Sequence, residues 1–260
     1  MDLGLEGRVA IVTGGARGIG LCEARCLGHE GCEIVIVDVD GKAADAAAQA
    51  LRRGGQRATA FQANASDEQD TRRVVAAVSH RFGRIDILVN NAGIGVNPAW
   101  RVADMPLDDW DRMVGVHMRS TFLWSRSVIP HMHANGYGRI VNTSSMNFTG
   151  GGRPGVAHYA AAKAGIAGFT RTLAKEVGAM AITSNAIAPG YVETDLIAAF
   201  TPQMRSVLTR QNPVGRTCRP EEVAAAVAFL CSVQAAFING ALLCIDGGRR
   251  DFFWDDGSNG

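Results

Sequence analysis

No apolar run in these 260 residues approaches the roughly 18 consecutive residues that a membrane-crossing helix needs. The N-terminus, MDLGLEGRVAIVTGG, places Asp2 and Glu6 where a secretory signal would place basic residues ahead of an apolar core, so no export signal is expected. Excess charge is missing too. The 26 basic and 25 acidic side chains leave a formal net charge of +1, which offers no electrostatic reason to expect nucleic acid or an anionic membrane as partner. The six cysteines (Cys22, Cys26, Cys32, Cys218, Cys231, Cys244) contain neither a CxxC pair nor a zinc-ligand spacing. Cys22 and Cys26 share a helix face without a second pair to complete a site, and His131 and His133, two apart, leave a helix in different directions. No metal is expected. A soluble, cytoplasmic globular protein is the expectation.

The first half of the chain alternates short β-branched runs with helical stretches. VAIVT (9–13), EIVIVDV (33–39), ATAFQA (58–63) and IDILVNN (85–91) read as strands. Helices are expected from about Ile19, over KAADAAAQALRR, and from about Asp67 to Phe82. Runs apolar on both faces, separated by helices of this size, mean βαβ units, a parallel sheet and an α/β fold.

Between the first strand and first helix lies TGGARGIG (13–20), which offers backbone without Cβ atoms to a ligand and opens onto a helix N-terminus, the arrangement of a pyrophosphate site. Asp38 closes the second strand 18 residues after Gly20, where a carboxylate would bond the ribose hydroxyls of an adenosine and repel a 2′-phosphate. NAD is therefore expected over NADP. Arg17, a cation inside the glycine loop, argues the other way.

A second constellation runs from Asn142 to Lys163, NTSSMNFTGGGRPGVAHYAAAK. The IVNTSS run reads as a buried strand ending at Ser144 and Ser145, GGGRPG as a loop, and the Ala-rich stretch from Tyr159 onward as a helix. Tyr159 and Lys163 then lie one turn apart on one face. A free phenol has a pKa near ~10. A cation held beside it favours the phenolate, so the tyrosine is expected to exchange a proton with an alcohol or carbonyl near neutral pH, with a serine hydroxyl able to hold the same oxygen.

Together these motifs resemble the short-chain dehydrogenase/reductase family over almost the whole chain. TGGARGIG (13–20), NNAG (90–93), the serine of NTSS, YAAAK (159–163) and NAIAPGYVETD (185–195) stand in the family's order, and RPEEVAAAVAFL and ALLCIDGG are similar to its closing helix and last strand. The resemblance implies a single Rossmann-type domain over 1–260, a doubly wound parallel sheet of about seven strands in the order 3-2-1-4-5-6-7. It implies Gly14, Arg17, Gly18, Ile19 and Gly20 on the cofactor's phosphates, Asp38 on its ribose, Asn64 and Ala65 by the adenine, and Asn91, Ala92 and Gly93 by the adenosine ribose. Pro189, Gly190, Val192 and Thr194 fall at the nicotinamide end, with Lys163 on that ribose. The activity it implies is hydride transfer between NAD and a secondary alcohol or ketone, with Tyr159 as general acid/base, Lys163 lowering its pKa and Ser145 bonding the substrate oxygen. It also implies a homotetramer, or a homodimer, with the helices after Ser120 and Tyr159 at one interface. The alternatives are an NADP-dependent ketone or 3-oxoacyl reductase, a redox-inactive NAD-sensing protein, and a sugar-nucleotide epimerase or dehydratase. The last needs a larger C-terminal domain than the residues after Pro189 supply.

Two positions depart from the family's pattern. In LDDWDRMVGVHMRSTFLWSRSVIPHM (107–132), read as one long helix, His117 stands where most members carry an Asn held to bind a water that returns protons to the tyrosine. A neutral imidazole has one donor and one acceptor for that task, and a cationic one would repel Lys163. Ser145 lies 14 residues before Tyr159, one more than is usual, so the extra residue is assigned to the MNFTGGGRPG loop. The expected substrate walls are the segment from about Ile94 to Trp100, that loop, and a lid from Thr194 to about Asn212. Arg205 and Arg210 on the lid are candidate partners for an anion and are read as solvated. The aromatic tail 249–260 is expected over a pocket or against a neighbouring subunit.

Overall fold

The computed structural model of the chain describes residues 2–150, 152–198 and 200–248; the tail 249–260 lies outside the described residues. Its strands are β1 (Val9–Thr13), β2 (Glu33–Asp38), β3 (Arg57–Gln62), β4 (Ile87–Asn90), β5 (Gly138–Thr143), β6 (Ile182–Pro189) and β7 (Leu242–Ile245). They form one seven-stranded sheet in the order β3-β2-β1-β4-β5-β6-β7, with every pairing parallel. The order reverses between β1 and β4. Loops at the strand ends diverge there, and open sheets of this kind receive their ligands in the resulting crevice.

Helices α1 (Gly18–His29), α2 (Gly41–Arg53) and α3 (Glu68–Phe82) follow the first three strands. The ends of α2 and α3 show the local chemistry that sets them. Asp40 and Asp67 accept from the backbone N–H of Ala43 and Asp70, while α3 stops at Gly83, whose φ of 69° suits a residue without Cβ. α4 (Leu107–Val114) and α5 (Ser120–Asn135) follow β4. Past β5 come the single turn α6 (Asn147–Gly150) and the long α7 (Ala157–Val177). The short α8 (Asp195–Ala198) and α9 (Pro202–Arg210) then precede α10 (Pro220–Cys231).

Because the central strands are covered on both faces, their side chains sort into two cores. Val12, Ile34, Ile36, Val89 and Val141 pack with Leu27 of α1, Leu51 of α2 and Val227 of α10. Ile11, Val35, Leu88 and Ile140 pack with Val75 of α3, Trp124 of α5 and Leu173 of α7. Each such buried Val, Ile or Leu contributes about 1.5–3 kcal/mol, which fixes the strand ends on which the site stands.

Two expectations change. The segment expected as one helix over 107–132 is broken by a π-helical stretch at Gly115–Arg119. There the Ser120 hydroxyl donates to the Val116 and His117 carbonyls and Thr121 donates to that of His117, so side chains take up acceptors near the distorted stretch. The strand expected over 85–91 is Ile87–Asn90; just before it the Asp86 backbone still donates to the Val9 carbonyl and accepts from the Arg139 N–H, while its fully buried carboxylate accepts from Arg8, Arg84 and the Val9 backbone.

Candidate active site

The glycine turn is assembled by close backbone approach. Gly14 and Gly18 have φ of 62° and 56°, conformations that Cβ-bearing residues rarely adopt. A Cβ on Gly14 would lie 2.9 Å from Ala92 Cα, and one on Gly20 would lie 2.4 Å from both the Gly14 carbonyl oxygen and Asn91 Nδ2. Asn91 donates its side-chain amide to the carbonyls of Thr13 and Gly14, while Thr13 Oγ1 accepts from the backbone N–H of Asn91 and Ala92. The loops after β1 and β4 are thereby laced together. The N-terminus of α1 has no side-chain cap and no acid in its first turn, leaving its dipole for an external anion.

Asp38, at the end of β2, accepts from the backbone N–H of Ala16 and Asp40 at 3.3 and 3.1 Å. Arg17 is engaged by Asp40, guanidinium to carboxylate, at 2.8 Å.

The other end of the crevice is built on β5 and α7. β5 ends at Thr143 and the Ser144 backbone N–H continues its pairing to the Ile187 carbonyl at 2.8 Å. Ser144 Oγ then donates to the Lys163 carbonyl at 2.8 Å, and Lys163 Nζ donates to the Thr143 carbonyl at 2.7 Å, which ties α7 to the strand end. Behind this corner Asn142 accepts from Asn90 and donates to Thr170, a buried bracket linking β4, β5 and α7. Lys163 is only 4% exposed, and its Nζ lies 5.6 Å from the centroid of the Tyr159 ring.

Burial, rather than a neighbouring charge, dominates the electrostatics of Tyr159 and Lys163 here. Burial pushes Tyr159 up from 10, opposed by the Ser145 side chain. The same burial pushes Lys163 down to about 7. Desolvation disfavours the charged form of each, and at the lysine it outweighs the single carbonyl acceptor. His117, 2% exposed on the π-helical stretch, meets the Tyr159 ring edge-on with centroids 5.4 Å apart. Its Nε2 faces the Ile94 backbone, 3.2 Å from the N–H and 3.1 Å from the carbonyl, while Nδ1 is buried without a partner among the described residues. Burial first, and Lys163 second, hold this imidazole well below its usual range, so it is neutral. His158, the residue before Tyr159, is buried as well.

A single cavity of about 920 Å³ runs between these two ends. Gly14, Arg17, Ile19, Asp38, Asn64, Ala65, Asn91, Ala92 and Gly93 line one part of it, and His117, Ser145, Tyr159, Lys163, Pro189, Gly190, Val192 and Thr194 the other. Gly18 and Gly20 do not line it: Gly20 meets the Gly14 carbonyl and Asn91, and Gly18 supplies the turn. Thr143 and Val156, which sequence reasoning did not single out, also form its walls, together with Met146 and Arg153 of the loop expected as a substrate wall and Ile197, Phe200 and Met204. The last three lie on or beside α8 and α9, within the stretch expected as a lid. Arg205 and Arg210 are exposed and line no part of it.

Among the described residues no helix is long and apolar enough to cross a membrane. A parallel sheet with this strand order, a glycine turn and a Ser-Tyr-Lys corner on one crevice define a nicotinamide-dependent oxidoreductase architecture. The comparisons agree. The family model described as "Enoyl-(Acyl carrier protein) reductase" matches residues 14–250. Cis-4-hydroxycyclohexanecarboxylate dehydrogenase of Sinomonas cyclohexanicum is 40% identical over 241 residues, 93% of this chain and 96% of that protein. The 3-oxoacyl-(acyl-carrier-protein) reductase FabG of Vibrio cholerae is 37% identical over 246 residues, 95% of this chain and 98% of its own. Among solved structures, a 7α-hydroxysteroid dehydrogenase complexed with NADH and 7-oxo glycochenodeoxycholic acid superposes with a TM-score of 0.90 at 32% identity, covering 95% of this chain and 96% of that one. The chain belongs to the short-chain dehydrogenase/reductase family, and it is an oxidoreductase acting on CH–OH and keto groups.

Proposed function

We propose that the chain is an NAD-dependent dehydrogenase of a secondary alcohol, running reversibly to the ketone, with Tyr159 as the group that exchanges the proton. The observation that carries this reading is that the Ser145–Tyr159–Lys163 corner and the glycine turn open onto one continuous cavity. The residues present fit the dinucleotide. The uncapped α1 N-terminus and the turn at Gly14, Arg17, Gly18, Ile19 and Gly20 suit its phosphates. Asp38 suits the adenosine ribose, Asn64 and Ala65 the adenine, and Asn91, Ala92 and Gly93 the wall between. Pro189, Gly190, Val192 and Thr194 suit the nicotinamide end, with Lys163 Nζ on its ribose hydroxyls. When bound, the nicotinamide supplies or accepts the hydride.

The chain's own residues do the rest. Tyr159, whose phenol burial keeps protonated at neutral pH, donates to a ketone oxygen in reduction and takes the proton back in oxidation. Ser145 bonds the same oxygen as charge grows on it. His117 stands as a neutral positioning ring that holds the Ile94 backbone and keeps Nδ1 for a proton-carrying partner. NAD is favoured over NADP by two features: Asp38 sits on the cavity wall, and Arg17, the cation that would otherwise meet a 2′-phosphate, is taken by Asp40. The NADH in the hydroxysteroid dehydrogenase neighbour supports the same choice. The reading includes one domain over the whole chain with a lid at about 194–212, self-association as a homotetramer or homodimer, and a cytoplasmic location.

An initial-rate screen of secondary alcohols and ketones with both cofactors, following reduced-nicotinamide absorbance, tests it. Turnover is expected with NAD(H) well above NADP(H). Tyr159→Phe is expected to lose about 10²- to 10⁴-fold in turnover while still quenching in an NADH-binding fluorescence titration. A Phe variant with native turnover removes the assigned acid.

A further inference from the structure

We propose that the substrate carries a carboxylate and that Arg153 is the residue that selects for it; this rests on the dehydrogenase reading above. The cavity wall beyond Tyr159 is apolar, formed by Val96, Met146, Val156, Ile197, Phe200 and Met204. A secondary alcohol with a hydrocarbon body fits such a wall, yet one charge stands within it. Arg153, half-buried on the loop between Ser145 and Tyr159, lines the cavity and has no hydrogen bond or ion pair with any described residue.

The other charged side chains on the cavity are already engaged. Arg17 is held by Asp40, Lys163 by the Thr143 carbonyl, and Asp38 by two backbone N–H groups. Asp38 is also the cavity's carboxylate among the described residues, and it lies at the opposite end, past the glycine turn. No described acid on the wall is therefore available to neutralise Arg153.

The position of the arginine is set by the backbone. The Gly155 carbonyl accepts from the Trp100 N–H at 3.1 Å, and a Cβ on Gly155 would lie 3.0 Å from that of Ala99, so the loop is pinned to the segment after β4. A guanidinium removed in part from water, with an apolar surface beside it, pairs most strongly with a planar oxyanion that can accept two of its N–H groups. A carboxylate attached to a small apolar or alicyclic alcohol supplies that. A neutral alcohol of the same shape leaves the cation unpaired.

The test compares two arms on one skeleton: 3- and 4-hydroxycyclohexanecarboxylates against the corresponding carboxamides, with kcat and KM measured for the wild-type enzyme, Arg153→Lys and Arg153→Ala. The wild type is expected to favour the carboxylate at least tenfold in kcat/KM. Arg153→Ala is expected to bring that ratio to within about twofold of one, through a raised KM for the carboxylate, and Arg153→Lys to recover part of it. Cyclohexanecarboxylate, which lacks the reacting hydroxyl, is expected to bind the NADH complex of the wild type in calorimetric titration at least tenfold more tightly than that of Arg153→Ala. Equal turnover of both arms by the wild type, or an Arg153→Ala variant that keeps the wild-type ratio, overturns the assignment and leaves the dehydrogenase reading standing. Absence of turnover on these arms and on a broad panel of alcohols and ketones takes down that reading and this one with it.

Discussion

Burial moves Tyr159 and Lys163 apart on the pH axis, the phenol rising above 10 and the ammonium falling to about 7. With the phenol protonated at neutral pH, ketone reduction has its proton donor in place, whereas alcohol oxidation must wait for the proton to leave. Oxidation is therefore expected to climb with pH through the alkaline range and reduction to fall there. His117, neutral and held well below its usual range, adds no ionisation of its own near pH 7. Its effect is positional, and its variants separate the two roles of the ring. His117→Asn, which keeps a donor and an acceptor, is expected to retain turnover; His117→Ala is expected to lose about tenfold or more and to displace the pH–rate profile. Steady-state profiles of the three proteins read this out, and an Ala variant with the native profile dismisses His117. The identities of Ser145, Tyr159 and Lys163 were legible in the sequence because a strand end and a four-residue helical spacing bring them together. How deeply that helix face is buried was not, since spacing does not reveal it.

Elements show the same division. The strands from β1 to β4 were readable from β-branched runs, and their order followed from a family resemblance rather than from any run of residues. The break at Gly115–Arg119 was hidden because apolar spacing continues through it, while the Ser120 and Thr121 hydroxyl bonds beside it leave no periodic mark. Glu23 was hidden as well. It lies fully buried on α1, a helix packed closely on α10, with neither carboxylate oxygen bonded, and burial alone raises its pKa from 4.5 to about 8. A group whose folded pKa exceeds its unfolded value holds its proton more tightly when folded. Its contribution is whole below pH 4.5 and is lost as pH rises toward about 8. Glu23→Leu, which removes the unpaired polar group at similar volume, is expected to stabilise the chain by about 1–3 kcal/mol. The gain is expected to be larger at pH 8 than at pH 5. Thermal melts of both proteins at the two pH values check it, and an equal or opposite pH trend places the carboxyl in water.

At the scale of the whole molecule, the sheet and its two cores account for the inner faces of α5 and α7, but their outer faces remain to be explained. On α7, Ala161, Ala164 and Gly168 recur along one exposed strip, and a Cβ on Gly168 would meet nothing within 4 Å. On α5, Phe122 stands 44% exposed under the Arg126 guanidinium, 5.0 Å from its ring centroid. Small residues let a facing helix approach closely, and a half-exposed Phe beside them supplies an apolar anchor of the kind that symmetric interfaces bury. This strip is where the homotetramer or homodimer reading puts one of its two-fold contacts. A bulky cation at its centre would clash with its own copy across a two-fold axis and face a like charge there. Ala164→Arg combined with Phe122→Arg is therefore expected to yield a smaller species in sedimentation velocity, with the circular dichroism of the folded chain retained. Lys163 and Tyr159 lie on the opposite side of the same helix, so loss of the interface is expected to lower thermal stability and make it dependent on protein concentration, as mass action requires when folded copies bind each other. A double variant that sediments as the wild type does locates the contact elsewhere on the surface.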